Sequence, residues 1–169
     1  MKKSNLSIAE FWLGLRTISS LTSSGTWQLM VELQDHQGRD FIALYNQFRV
    51  DTEGPYRLHV SGYDTDTSTA QDSLTNPHSG MAFSTSDNDN DLALGNCADR
   101  YLGAWWYRSC LASNLNGFNF NQTNLPESEY AKGITWQNGD KVQKLYCEPN
   151  VQDQCFSWSA VQMKIQEVV

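Results

Sequence analysis

Residues 86–117 read SDNDNDLALGNCADRYLGAWWYRSCLASNLNG, and this stretch decides what kind of domain the chain forms. Three aspartates alternate at Asp87, Asp89 and Asp91. Cys97 and Cys110 bracket a 12-residue loop that contains Trp105-Trp106-Tyr107, and the run closes on Asn114-Leu115-Asn116-Gly117. Alternating carboxylates on a turning backbone suit a hard cation, which takes about six to eight oxygen ligands. The run is not an EF-hand, because Leu92 stands where that loop needs Gly and Ala98 where it needs Glu. On the residues alone, a solvated acidic loop closed by Asx-turns is an equal reading. Oxygen ligands, a cysteine pair and clustered aromatics together point to a metal-ordered recognition surface rather than a core.

Outward from this run, the chain has two characters. From about residue 84 to residue 157, Asn, Gly, Asp, Ser and aromatics dominate, and no period of 2 or 3.6 persists. A loop region of that length inside one domain is functional or disordered, and its tryptophans argue for order. The flanks are regular. Trp27, Leu29, Val31 and Leu33 alternate with polar or flexible residues, which predicts a strand. Asp35-His36-Gln37-Gly38 is turn chemistry and Phe41–Tyr45 a second strand, so the pair reads as a hairpin. Tyr56, Leu58 and Val60 predict a third strand, and Val161, Met163 and Ile165 a last one that returns to the sheet. Ser7 with Glu10 forms a capping-box pattern for a short helix through Phe11-Trp12-Leu13 that Gly14 stops. Residues 64–74 are polar, with one helical turn expected near Ala70.

Composition narrows the function classes. The 169 residues carry 12 Lys+Arg against 19 Asp+Glu, a net charge of −7. That balance argues against nucleic acid and against an anionic membrane surface, both of which need a basic face. No apolar run approaches the ~20 residues of a membrane span. The start MKKSNLSIAEFW lacks the apolar stretch of a signal peptide. Four cysteines in two close pairs, Cys97/Cys110 and Cys147/Cys155, nevertheless read as an even disulfide set of neighbour pairs. Asn5-Leu6-Ser7 and Asn121-Gln122-Thr123 fit the glycosylation sequon. These features predict a secreted, extracellular domain. An enzyme is not expected: His36, His59 and His78 lie in unrelated contexts, and no HExxH, GxSxG, P-loop or GxGxxG motif is present.

The order of the motifs carries a resemblance. Glu10-Phe11-Trp12-Leu13-Gly14, Tyr56-Arg57-Leu58-His59-Val60, Gly80-Met81-Ala82-Phe83-Ser84-Thr85, the Asp87–Asn96 run into Cys97, Trp105-Trp106-Tyr107, Cys110, Ser113-Asn114-Leu115-Asn116-Gly117 and Met163-Lys164-Ile165 occur in sequence. Together they resemble the fibrinogen-like (fibrinogen C-terminal) domain of fibrinogen chain ends, ficolins, tachylectins, tenascins and angiopoietins. The resemblance implies an α+β fold over 1–169. It consists of a twisted antiparallel sheet with short helices and a loop-rich calcium- and ligand-binding subdomain over 84–157. The first ~50 residues of the family's domain, its N-terminal subdomain, are not matched.

The resemblance also implies a site. A Ca²⁺ ion would take side-chain oxygens from Asp89 and Asp91 and backbone carbonyls from Ala93 and Gly95, with Asp87 as a helper. The peptide bond Ser109–Cys110 would be cis. A pocket beside the calcium would take an acetyl group against Tyr101, Leu111, Tyr130 and Ala131. Tyr101, Tyr130 and Ala131 agree with the acetyl-binding pattern, whereas Leu111 stands where those lectins usually carry His. A second departure is the segment Tyr146–Cys155, an insertion expected to be pinned by its own bridge. The implied function is a calcium-dependent, lectin-like recognition module for acetylated or related glycans on cell or microbial surfaces, as in innate immunity. The alternative is an extracellular module that binds a peptide or receptor. Family members usually oligomerise through an upstream stalk, which lies outside this sequence.

Overall fold

A computed structural model of the chain describes residues 10–122, 125–137 and 157–168. Ser7, both expected sequons as complete triplets, and the Cys147/Cys155 pair with its insertion lie outside the described residues. The elements run α1 (Leu15–Leu21), β1 (Thr26–Gln34), β2 (Asp40–Val50), β3 (Leu58–Tyr63), α2 (Thr75–His78), α3 (Cys97–Tyr101), β4 (Ser113–Asn114), a 3₁₀ turn (Glu127–Glu129), β5 (Thr135–Trp136) and β6 (Ala160–Val168). Among the described residues, no helix is long and apolar enough to cross a membrane.

One antiparallel sheet has the order β3-β2-β1-β6. The expected alternation decides its buried face: Leu29, Val31 and Leu33 of β1 are buried, as are Ala43, Tyr45, Phe48 and Val50 of β2. The β1–β2 hairpin turns on Asp35. Its Oδ1 accepts the N–H groups of Gln37 (2.8 Å) and Arg39 (2.9 Å), and its Oδ2 pairs with Arg39 Nε at 2.6 Å. Burial pushes the Asp35 carboxyl up, but these donors outweigh it and hold the pKa below the usual carboxylate value. β2 runs five residues past Tyr45 because it serves two partners. Residues 40–45 pair with β1, and residues 45–50 pair with β3.

Two local expectations are corrected. No helix forms over Phe11-Trp12-Leu13, and Gly14 opens α1 rather than stopping a helix. Gly14 has φ 88° and ψ 140°, which a residue with a Cβ resists, and its carbonyl accepts the Ile18 N–H. Trp12 instead lies over Phe83 and Trp106, with ring centroids 6.0 and 6.4 Å away, so tertiary aromatic contact overrides the capping pattern. There is also no helical turn at Ala70. Segment 64–70 lies along the first half of β2, beyond the reach of β3. Thr69 Oγ1 and Ser68 Oγ accept the N–H groups of Ile42 and Leu44, and the Asp64, Thr69 and Ala70 N–H groups return to the carbonyls of the same two residues. Helical backbone would leave those sheet groups unpaired.

Candidate functional site

The acidic loop is ordered by its own side chains. Asp91 Oδ1 accepts the Ala93 N–H at 2.8 Å, and its Oδ2 accepts the Cys97 N–H at 2.8 Å. Asp89 Oδ1 accepts the Asp91 N–H at 3.1 Å. Asn96 caps α3 by accepting from Ala98 N (2.8 Å) and Asp99 N (3.2 Å), while its Nδ2 donates back to the carbonyls of Thr85 and Ser86. One asparagine therefore ties the helix start to the beginning of the loop. Asp87 accepts the Thr85 hydroxyl at 2.6 Å, which holds its carboxyl below the usual range.

The opposite wall is stitched to this loop. Ser84 and Trp105 exchange backbone hydrogen bonds, and Leu92 N–H donates to the Arg108 carbonyl at 2.7 Å. Cys97 and Cys110 form the expected disulfide, and Ser109–Cys110 is cis, as the resemblance implied. Between loop and wall lies a cleft of about 420 Å³. It is lined by Ala93, Leu94, Gly95 and Asn96 of the loop, by Arg100 and Tyr101 of α3, and by Ser109 and Cys110.

The four acetyl-pocket positions divide. Tyr101 lines the cleft; Leu111, Tyr130 and Ala131 are not among its lining residues. Tyr101 and Ala131 are nevertheless drawn together by Asn114, whose Nδ2 donates to both carbonyls (3.0 and 3.3 Å) while its Oδ1 accepts the Tyr107 hydroxyl at 2.7 Å. Ala131 is buried with φ 56°, Tyr130 is exposed, and Leu111 is half-buried against the core edge. Gly103 cannot carry a side chain here, since a Cβ would run into Asn114 Oδ1 and the Tyr107 hydroxyl.

Among the described residues, no group of three or more His, Cys, Asp and Glu side chains comes together as a metal cluster. The oxygen donors on offer are two carboxylates and backbone. One oxygen of Asp89 accepts no hydrogen bond from the described residues, and neither do the carbonyls of Ala93 and Gly95. That set is chemically suited to a hard cation completed by water, and not to a soft metal.

The aromatic run is core and not part of the recognition surface. Trp105, Trp106 and Tyr107 are fully buried. Trp105 and Trp106 pack edge to face, with ring centroids 5.0 Å apart. Trp106 Nε1 donates to the Tyr56 carbonyl at 2.8 Å, and Trp105 Nε1 to Ser113 Oγ at 3.3 Å. Burial pushes the Tyr107 hydroxyl pKa up, and the charge of Asp91 adds to it.

His78 is the structural residue that sequence reasoning passed over. It is fully buried, with Nδ1 2.8 Å from the Trp106 carbonyl and Nε2 accepting the N–H groups of Ala112 (3.0 Å) and Ser113 (2.9 Å). Two donors on Nε2 require a neutral ring that carries its proton on Nδ1. Burial accordingly pushes its pKa down to about 4, against the pull of the Trp106 carbonyl. A lone histidine after Asn76-Pro77 carries no motif, and its partners lie 28 to 35 residues away.

A family model described as the C-terminal globular domain of fibrinogen beta and gamma chains matches residues 3–167. Tenascin-R of Homo sapiens is 44% identical over 128 residues, which cover 75% of this chain and 9% of tenascin-R. The chain thus spans about a tenth of that relative's length. Among solved structures, the fibrinogen-like globe domain of human ANGPTL6 superposes with a TM-score of 0.79 at 34% identity, over 95% of this chain and 65% of that one. The lamprey fibrin D-dimer complexed with the peptide ligand Gly-His-Arg-Pro-amide superposes with a TM-score of 0.71 at 30% identity, over 92% of this chain and 50% of that one. The chain belongs to the fibrinogen C-terminal domain family.

Proposed function

We propose, from this membership and from the cleft, that the chain is a calcium-dependent extracellular recognition module that binds acetylated glycans. The observation that carries the reading is the cleft between the acidic loop and the disulfide-held wall, with Tyr101 in its lining. Asp89 and Asp91, with the carbonyls of Ala93 and Gly95, would hold Ca²⁺, which supplies charge neutralisation and rigidity to the loop. Of these four, Ala93 and Gly95 also line the cleft, so ordering the loop shapes the ligand wall. Tyr101 offers a ring face and edge to an acetyl methyl, and Asn114 keeps it in register with Ala131. Leu111, outside the cleft lining, would add apolar area and no hydrogen bond. The disulfide supports an oxidising, secreted setting, and catalysis is no part of this reading.

A second reading, a module for a peptide or receptor, is favoured by one specific observation. The lamprey fibrin relative is complexed with a peptide, and Leu92 and Leu94 stand exposed at the cleft's edge or beside it. A glycan array probed with and without chelator tests the two. Acetylated glycans retained only in calcium support the lectin reading. Absence of any glycan signal, with calcium-independent capture of a Gly-His-Arg-Pro peptide, supports the second.

A further inference from the structure

The run Phe118-Asn119-Phe120-Asn121-Gln122-Thr123 ends in a glycosylation sequon. Phe118, three residues before the acceptor, is 56% exposed. It is nevertheless held in place. Its N–H donates to the Lys132 carbonyl at 2.9 Å, and its ring meets that of Phe120 edge to face, with centroids 4.8 Å apart. Phe120 is half-buried and packs so near Gly133 that a Cβ there would lie 3.3 Å from Phe120 Cδ2. Asn119 fixes the turn that follows: its Oδ1 accepts the Asn121 N–H at 2.9 Å, and its Nδ2 reaches the Ser159 carbonyl at 3.4 Å. Asn121 is exposed, with φ 51°, a left-handed backbone that asparagine tolerates. Asn114, Asn116 and Asn119 each give their Nδ2 to a backbone carbonyl, whereas that of Asn121 donates to none of the described residues.

We propose that Asn121 carries an N-linked glycan whose first N-acetylglucosamine covers the exposed face of the Phe118 ring. The inference rests on the extracellular reading and adds to it a modified residue outside the cleft lining. In the transfer, the Asn121 amide nitrogen gives up a proton and bonds to the anomeric carbon of an oligosaccharide. That carbon's bond to a lipid-linked pyrophosphate breaks, the pyrophosphate keeps the electron pair, and the transferase of the secretory pathway takes the proton. The chain's part is to present an accessible amide on a surface turn, which Asn121 does. The C–H groups on one face of a sugar ring are slightly positive and apolar, and the face of a phenyl ring is slightly negative, so the two pack together. Covering the ring also removes apolar area from water. Phe120 already holds Phe118, so little rotamer freedom is lost when the sugar settles on it.

The test places the full chain behind a cleavable secretory leader, with Asn5→Gln so that the sequon at Asn121 is the one that remains. It is expressed in cultured eukaryotic cells that keep their glycans in the high-mannose form. Peptide mapping of the secreted chain is expected to find a glycan on Asn121. An endoglycosidase then trims this glycan to its first N-acetylglucosamine, and a peptide-N-glycosidase removes it entirely from a second sample. The trimmed form is expected to melt about 3 °C above the stripped one, the shift for an aromatic contact of ordinary strength in a domain of this size. In the glycosylated fraction of Phe118→Ala the two forms are expected to melt together. The change that stripping leaves at residue 121 is common to both backgrounds and cancels. Secreted chain with the Cys97–Cys110 bridge formed and Asn121 unmodified overturns this inference and leaves the extracellular reading standing. An equal shift with and without the Phe118 ring overturns it as well. Chain retained in the cells with Cys97 and Cys110 reduced overturns the extracellular reading along with it.

Discussion

In the sheet, Leu29, Val31 and Leu33 are buried because alternate side chains of β1 face the core, and the ladders to β2 and β6 satisfy the polar backbone between them. In residues 84–118 the backbone has almost no ladder, and a few polar side chains take its place: Asp91 and Asn96 on the loop, Asn114 beneath the cleft, and His78 from outside the region. The sheet spreads its hydrogen bonding over many equivalent residues. The loop region concentrates it in single groups, each of which satisfies two to four backbone partners. Damage should therefore be graded in the sheet and abrupt in the loops.

The hardest test of that contrast is His78→Ala. It leaves the buried N–H groups of Ala112 and Ser113 without an acceptor and opens a void beside Trp105, an expected loss of about 4 kcal/mol. Leu29→Ala, at equal burial in the sheet, loses apolar contact alone and about 3 kcal/mol. Urea denaturation of both variants compares them directly. A His78→Ala loss well below that of Leu29→Ala would break the comparison.

Acid offers the same test without mutation. The folded pKa of His78, pushed down to about 4, lies below its unfolded value of 6.5. Between these values the unfolded chain binds the proton and the folded one does not, so stability falls as pH falls from about 6.5 to about 4. The full window is worth about 3 kcal/mol. His78→Gln should flatten this part of the pH–stability curve, and an unchanged curve would remove His78 as its cause.

Removing the bridge by Cys97→Ser with Cys110→Ser should cost about 3 kcal/mol on the chain-entropy argument for a loop of this length. Hydrogen exchange should quicken in 84–118 before it does in β1 and β2. Uniform quickening would show that the two regions unfold only together.

Smaller effects separate loop order from cation binding. Asp91→Ala loses two charge-assisted hydrogen bonds and should cost about 2 kcal/mol even in chelator. Asp89→Ala should be near neutral in chelator and lose the rise in Tm that calcium produces in the wild type. Equal calcium shifts in the wild type and Asp89→Ala would remove Asp89 from the cation site. Smallest is Leu111→His. A neutral hydrogen bond nets about 1 kcal/mol, so retention on an acetylated resin should strengthen about fivefold. No change would place residue 111 outside ligand contact.

The fold was legible wherever a short-range period or a chain of motifs carried it. Leu29, Val31 and Leu33 followed from parity, and Met163 and Ile165 joined the sheet as the alternation indicated. The Cys97–Cys110 bridge followed from proximity in sequence. Reading failed where a local signal met a stronger distant partner. The helix expected through Trp12 gave way to Phe83 and Trp106, and the turn expected at Ala70 gave way to the unpaired edge of β2. At the site, Tyr101 reached the cleft, while the routes that join it to Ala131 and fix the wall behind it ran through Asn114 and His78.

The amino-acid sequence by itself determined the strands, the hairpin turn at Asp35, the oxygen-rich loop and the family. Each rests on neighbours a few residues apart or on residue types in order. Only the tertiary structure decided that Gly14 begins a helix, and that His78 is buried and neutral with Trp106, Ala112 and Ser113 as its partners. The reason is physical: burial and hydrogen-bond satisfaction are settled by what the closed chain brings together, and no period or spacing encodes a partner 28 to 35 residues away.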